Sequence, residues 1–150
     1  MRGNRGFSLL ELIVVIVLIA ATTALAAGVM TRGLAGQQLR NSSRELAAQL
    51  RYARAQAIVT GQPALFTINA RTREWRGPNR RHGQVPREIK IIASGARVEQ
   101  SQSDQAVIRF FPEGAATGGR ILLSRERAGW QIDVEWLTGE VTVKRAQGDP

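Results

Sequence analysis

Arg5-Gly6-Phe7-Ser8-Leu9-Leu10-Glu11 opens directly onto an apolar run from Leu12 to Ala27. Between Phe7 and Met30 the only ionisable side chain is Glu11. Such a run matches the ~20 residues that an α-helix needs to cross the hydrocarbon core of a bilayer. Glu11 stands out because an acidic residue at the membrane centre is disfavoured by up to about 3 kcal/mol. On geometry two readings of it stay open. It is a functional charge that seeks a partner inside the apolar layer, or it reaches back to the headgroups from near the end of the span. Arg2 and Arg5 precede the run with no acid between them, so the N-terminus is expected on the cytoplasmic side. Arg32 and Arg40 beyond the run weaken that asymmetry without reversing it.

The apolar run does not end in a turn. Beyond Met30 the chain becomes polar but keeps a helical period: Leu39, Ser43, Leu46, Leu50, Ala53 and Ala57 recur at alternating spacings of four and three, on one face. Gln37, Gln38, Arg40, Arg44, Gln49, Arg51 and Gln56 take the other face, and Gly61 and Pro63 supply a stop signal. The pattern predicts one long helix from Ser8 to Thr60, with residues 7–30 in lipid and residues 31–62 amphipathic and packed on a domain. Gly28, Gly33 and Gly36 are its weak points, each disfavoured by up to about 1 kcal/mol relative to Ala.

From Ala64 onward the pattern changes to short β-type runs, which predicts a β-rich domain over residues 63–150. Leu65–Ile68 and Arg73–Arg76 flank Asn69-Ala70-Arg71-Thr72 and read as a hairpin. Glu88–Ala93, a short Arg97–Glu99, Ala106–Phe111, Ile121–Leu123, Trp130–Trp136 and Glu140–Val143 are the other expected strands. Trp130, Ile132, Val134 and Trp136 alternate with Gln131, Asp133 and Glu135, which predicts one buried and one solvated face. The expected fold class is α+β: one long helix packed on about six to eight short antiparallel strands.

The N-terminal residues resemble the processing motif of type IV pilins and of the pseudopilins of type II secretion: a short basic leader ending in Gly6, then Phe7-Ser8-Leu9-Leu10-Glu11 and a long apolar helix. The second half is similar to minor pseudopilins of the general secretion pathway protein H type. Phe111-Pro112-Glu113-Gly114, Gly118-Gly119-Arg120-Ile121-Leu122-Leu123, Ile132-Asp133-Val134 and Leu137-Thr138-Gly139-Glu140-Val141 carry that likeness, and residues 69–105 carry it least. The resemblance implies a pilin-like fold and no enzymatic activity or cofactor. It implies cleavage between Gly6 and Phe7 by a prepilin peptidase, removal of residues 1–6, and methylation of the new amino group of Phe7. It gives Glu11 the role of pairing with the N-terminal ammonium of a neighbouring subunit. The implied partners are other pseudopilins of the same filament, the prepilin peptidase, inner-membrane lipid and the secretion assembly platform. The implied place is the inner membrane, with the domain in the periplasm and near the filament tip. One departure is that no proline interrupts the membrane half, where major type IV pilins often carry one.

Rival readings attach to the same residues. An ordinary secretory signal peptide would use Arg2 and Arg5 as its basic region and Ala24-Leu25-Ala26 as its cleavage site, but its apolar core has no use for Glu11. The chain has 150 residues, enough for one domain plus an anchor, and no Cys, so the domain holds together without disulfides. Its one histidine, His82, sits in an Arg-rich segment with no spacing that suggests a catalytic triad, and the acids are too scattered for a calcium loop. Gly118-Gly119 lacks the Lys-Ser/Thr of a phosphate-binding loop. The net charge of +9 bears on partners more than on fold. Arg71, Arg73, Arg76, Arg80 and Arg81, with Trp75 and His82 among them, form a candidate anion or DNA contact, the alternative being a minor pilin of a type IV pilus that takes up DNA. The favoured reading is a solvated segment facing acidic headgroups or an acidic neighbour. Gly139 is followed by Glu140 rather than by basic residues, and C-terminal cysteines are absent; both count against DNA uptake.

Overall fold

The computed structural model describes residues 9–95 and 105–147, with side chains except at residues 25–35. Helix α1 spans Leu9–Thr60. Two compact units divide the chain, Met1–Ala35 and Gly36–Pro150. In the first, the large side chains from Leu9 to Ile19 are all exposed, and even Val15, the most covered, is 47% accessible. A helix that is apolar all round and uncovered needs lipid or protein around it. The hydroxyls of Thr22 and Thr23 donate back to Leu18 O and Ile19 O, so neither is left without a partner in an apolar surrounding. Among the described residues no helix is long and apolar enough to cross a membrane. The expected span over 7–30 lies partly outside the described side chains.

In the second unit the predicted helical seam is the core. Leu39, Ser43, Leu46, Leu50, Ala53 and Ala57 are all buried, and Ser42 and Ala47 join them. Ser43 fits because its Oγ donates to Leu39 O at 2.8 Å, one turn back. Against this seam stand eight strands among the described residues: β1 (Ala64–Asn69), β2 (Glu74–Arg76), β3 (His82–Gln84), β4 (Lys90–Gly95), β5 (Gln105–Phe110), β6 (Gly119–Arg125), β7 (Ala128–Val134) and β8 (Val141–Gln147). They form two four-stranded sheets with orders β3-β2-β1-β5 and β4-β6-β7-β8, and every pairing is antiparallel. Phe66, Ile68, Ile89, Ile108, Phe110, Ile121, Leu123 and Ile132 complete the core.

Three strand expectations need correction. Trp136 is 64% exposed rather than buried. Strand β7 stops at Val134, and Glu135 N–Glu140 O and Gly139 N–Glu135 O bonds close a turn, so the alternation of the pleat no longer governs residues 135–137. Glu135 therefore does not share a strand with Asp133. The third correction is β3, which the sequence left inside an Arg-rich loop. The proposed Arg97–Glu99 strand lies outside the described residues.

Candidate functional site

Glu11 occupies the first turn of α1, where a carboxylate also favours the positive end of the helix dipole. Among the described residues nothing pairs with it by hydrogen bond or ion bridge. Its carboxylate stands on a helix whose other described side chains through Ile19 are apolar, so a positive charge inside an apolar layer is its natural complement. Gly6 and Phe7 lie outside the described residues.

The five arginines of the candidate anion contact have different surroundings. Arg73 has φ 64° and serves the fold: one of its guanidinium nitrogens donates to Pro86 O at 3.1 Å and also to Ile89 O. Arg76 is 3.6 Å from Glu74 in an exposed pair. Arg81 lies 4.0 Å over the ring of Tyr52 and donates to Gln49 Oε1 at 3.3 Å, which holds the 78–81 turn on α1. Asn79 Nδ2 donates to the Tyr52 hydroxyl at 2.7 Å and reinforces that hold. Arg80 is exposed, as is Arg71. Arg76, Arg80, Arg81, His82 and Trp75 line one concavity of about 600 Å³. Trp75 is no exposed stacking platform. It is buried, stacked on Phe66 with centroids 6.0 Å apart, and covered by Gly83, where a Cβ would stand 2.6 Å from its ring.

Sequence reasoning missed two structural sites. Arg54 looks like one more solvated helix arginine, but its Nε donates to Gly114 O at 3.2 Å and to Thr138 O at 3.0 Å. It ties α1 to the 111–118 loop and the 135–140 turn, where Gly114 and Gly139 lie. Gly139, with φ 64°, passes so close that a Cβ there would lie 2.2 Å from Gly114 O. The second site is Asp133, which accepts from Arg120 Nε at 2.8 Å and from Gln131 Nε2 at 2.9 Å, with Lys144 3.9 Å away. Nothing in their spacing marked these residues as a cluster, because β6, β7 and β8 assemble it.

The type II transport protein GspH family matches residues 42–139, and the prokaryotic N-terminal methylation motif matches residues 1–27. The chain belongs to the GspH family. It is 49% identical over 140 residues to the type II secretion system protein H of Xanthomonas campestris pv. campestris, covering 93% of this chain and 83% of that protein. The fold is similar to that of the minor pseudopilin EpsH of Vibrio cholerae, with a TM-score of 0.59 at 12% identity over 77% of this chain and 99% of that one. It is also similar to the type IV minor pilin FimU of Pseudomonas aeruginosa, with a TM-score of 0.56 at 13% identity over 72% and 89% of the two chains. At such identities these two likenesses speak for the pilin-like α+β fold alone.

Proposed function

We propose that this GspH-family chain is a minor pseudopilin of a type II secretion system, built into the periplasmic pseudopilus to help drive proteins through the outer membrane. One observation carries the reading: a methylation motif over residues 1–27 and a GspH match over 42–139 lie on the same chain. A prepilin peptidase cuts between Gly6 and Phe7, removes residues 1–6, and Phe7 is methylated. Residues 7–30 anchor the chain in the inner membrane with the N-terminus cytoplasmic. Residues 31–62 form the amphipathic periplasmic half of the helix, and residues 63–150 form the β-rich periplasmic domain. Glu11 pairs with the Phe7 ammonium of a neighbouring subunit. The protein acts by assembly with other pseudopilins, near the tip and on the secretion platform, and has no catalytic activity of its own. The buried Trp75 supports this over DNA uptake, since sequence-tolerant binding of single strands uses exposed rings.

Mass spectrometry of the chain recovered from membranes tests the processing. The expected N-terminus is a methylated Phe7; a start at Ala27 identifies a cleaved signal peptide instead and overturns the reading.

A further inference from the structure

Among the described residues strand β3 stands at one edge of the first sheet, with no strand on its outer side. Its pairing with β2 sets which main-chain groups remain available. Gly77 N donates to Arg81 O at 2.8 Å, Val85 N donates to Arg73 O at 2.9 Å, and Gly83 lies opposite Trp75. Hydrogen-bonding direction alternates along an antiparallel strand, so residues 81, 83 and 85 face β2. The N–H and C=O of His82 and Gln84 therefore face outward, and among the described residues no backbone bond between elements takes them up. Beside this edge lies the concavity lined by Arg76, Arg80 and Arg81. Its carboxylate is Glu74, 3.6 Å from Arg76, so the concavity keeps a surplus of positive charge. Arg81 is held by Tyr52 and Gln49; Arg80 meets His82 Nδ1 through its carbonyl oxygen at 3.0 Å, and its side chain is exposed.

We propose that the β3 edge and this arginine concavity form a docking site for an extended acidic segment of a partner protein, which adds to the sheet as a further strand. Main-chain bonds to His82 and Gln84 set the direction of the added segment, and its carboxylates meet Arg80 and Arg76. The same arginines disfavour a second copy of this chain, whose β3 edge would bring like charge against like. Nucleic acid fits poorly because the one tryptophan lining the concavity is buried between Phe66 and Gly83. The edge is short, with two outward residues, so charge supplies much of the affinity and binding weakens as salt rises.

The test uses the full chain in detergent micelles and a fluorescent peptide of alternating Thr and Glu, followed by anisotropy. Oligothymidylate, inorganic phosphate and an alternating Thr-Lys peptide are the comparison ligands. The Thr-Glu peptide is expected to bind in preference to all three. The double variant Arg76→Gln, Arg80→Asn should weaken it by about tenfold or more, Asn being tolerant of the left-handed backbone at residue 80. Gln84→Pro removes one outward N–H without changing charge and should weaken binding about threefold or more. Thermal unfolding midpoints check each fold, and His82→Pro stands in if Gln84→Pro does not fold. Loss with the arginine variant but none with either proline variant overturns strand addition. Equal or tighter binding of oligothymidylate or phosphate overturns a protein partner. None of these readouts depends on the secretion reading.

Discussion

A single carboxylate, Glu11, carries the sharpest functional expectation at the scale of the residue. Removing it takes away one half of the proposed charge pair and leaves the proposed scissile bond, Gly6–Phe7, untouched. Glu11→Ala is therefore expected to cut co-assembly with other pseudopilins about tenfold or more, while the mature N-terminus still forms. Crosslinking in membranes measures the first and mass spectrometry the second; unchanged assembly removes the role assigned to Glu11. Asp133 makes a different kind of prediction. Burial acts to raise its pKa, and the hydrogen bonds from Arg120 and Gln131 with the charges of Arg120 and Lys144 outweigh it, so the carboxyl titrates below its ordinary value of 3.8. Because the folded pKa is depressed, its stabilisation is fully present above the ordinary pKa and is lost as pH falls through the folded one. Arg120 and Lys144 are mostly exposed, with side-chain accessibilities of 62% and 68%, so screening keeps the effect small. Asp133→Asn should destabilise by about 0.5 kcal/mol at neutral pH, with the gap closing in acid. Denaturant unfolding at both pH values checks it, and an equal loss at both argues against the linkage.

The helix was the most legible element, and the hairpin around residues 69–72 was legible too. Leu39 to Ala57 repeats with a period that only a helix with one buried face explains, and each residue named from that period is buried. Strand ends were harder to read, because what ends β7 is not a residue type but the bonds that close the 135–140 turn. β3 escaped notice because His82-Gly83-Gln84 has no apolar alternation; it is a strand because β2 offers it partners. Arg73 was read as a surface cation, yet a left-handed backbone and two carbonyls claim it. The turns also allow a discriminating comparison between two glycines with nearly the same φ. Gly61 has φ 65° and open space around it, whereas Gly139 has φ 64° and Gly114 O in the place of a Cβ. Gly61→Ala should cost about 1 kcal/mol, the strain of the backbone alone. Gly139→Ala should cost about 2 kcal/mol or more, since it also displaces the loop that Arg54 holds. Thermal unfolding midpoints separate the two, and equal losses would mean that the Gly114–Gly139 approach contributes nothing.

For the whole molecule, the expectation concerns which machine the chain serves. Deleting its gene should abolish release of secreted proteins into the medium while leaving DNA uptake unchanged, and the intact gene should restore release. A strain that loses DNA uptake and keeps secretion places the chain in a type IV pilus instead. The amino-acid sequence by itself determined the long helix, its buried seam, the position of Glu11 and the α+β class. These follow from local order: periodicity, a lone charge in an apolar run, and glycines with proline after the helix. Only the tertiary structure decided that the strands divide into two sheets, that Trp136 is exposed while Trp75 is buried, and that Arg54 and Asp133 are anchors. It also decided that the arginines between residues 71 and 81 do different work. Each of those outcomes depends on which main-chain groups and side chains from distant parts of the chain meet, and distance along the chain does not encode that meeting.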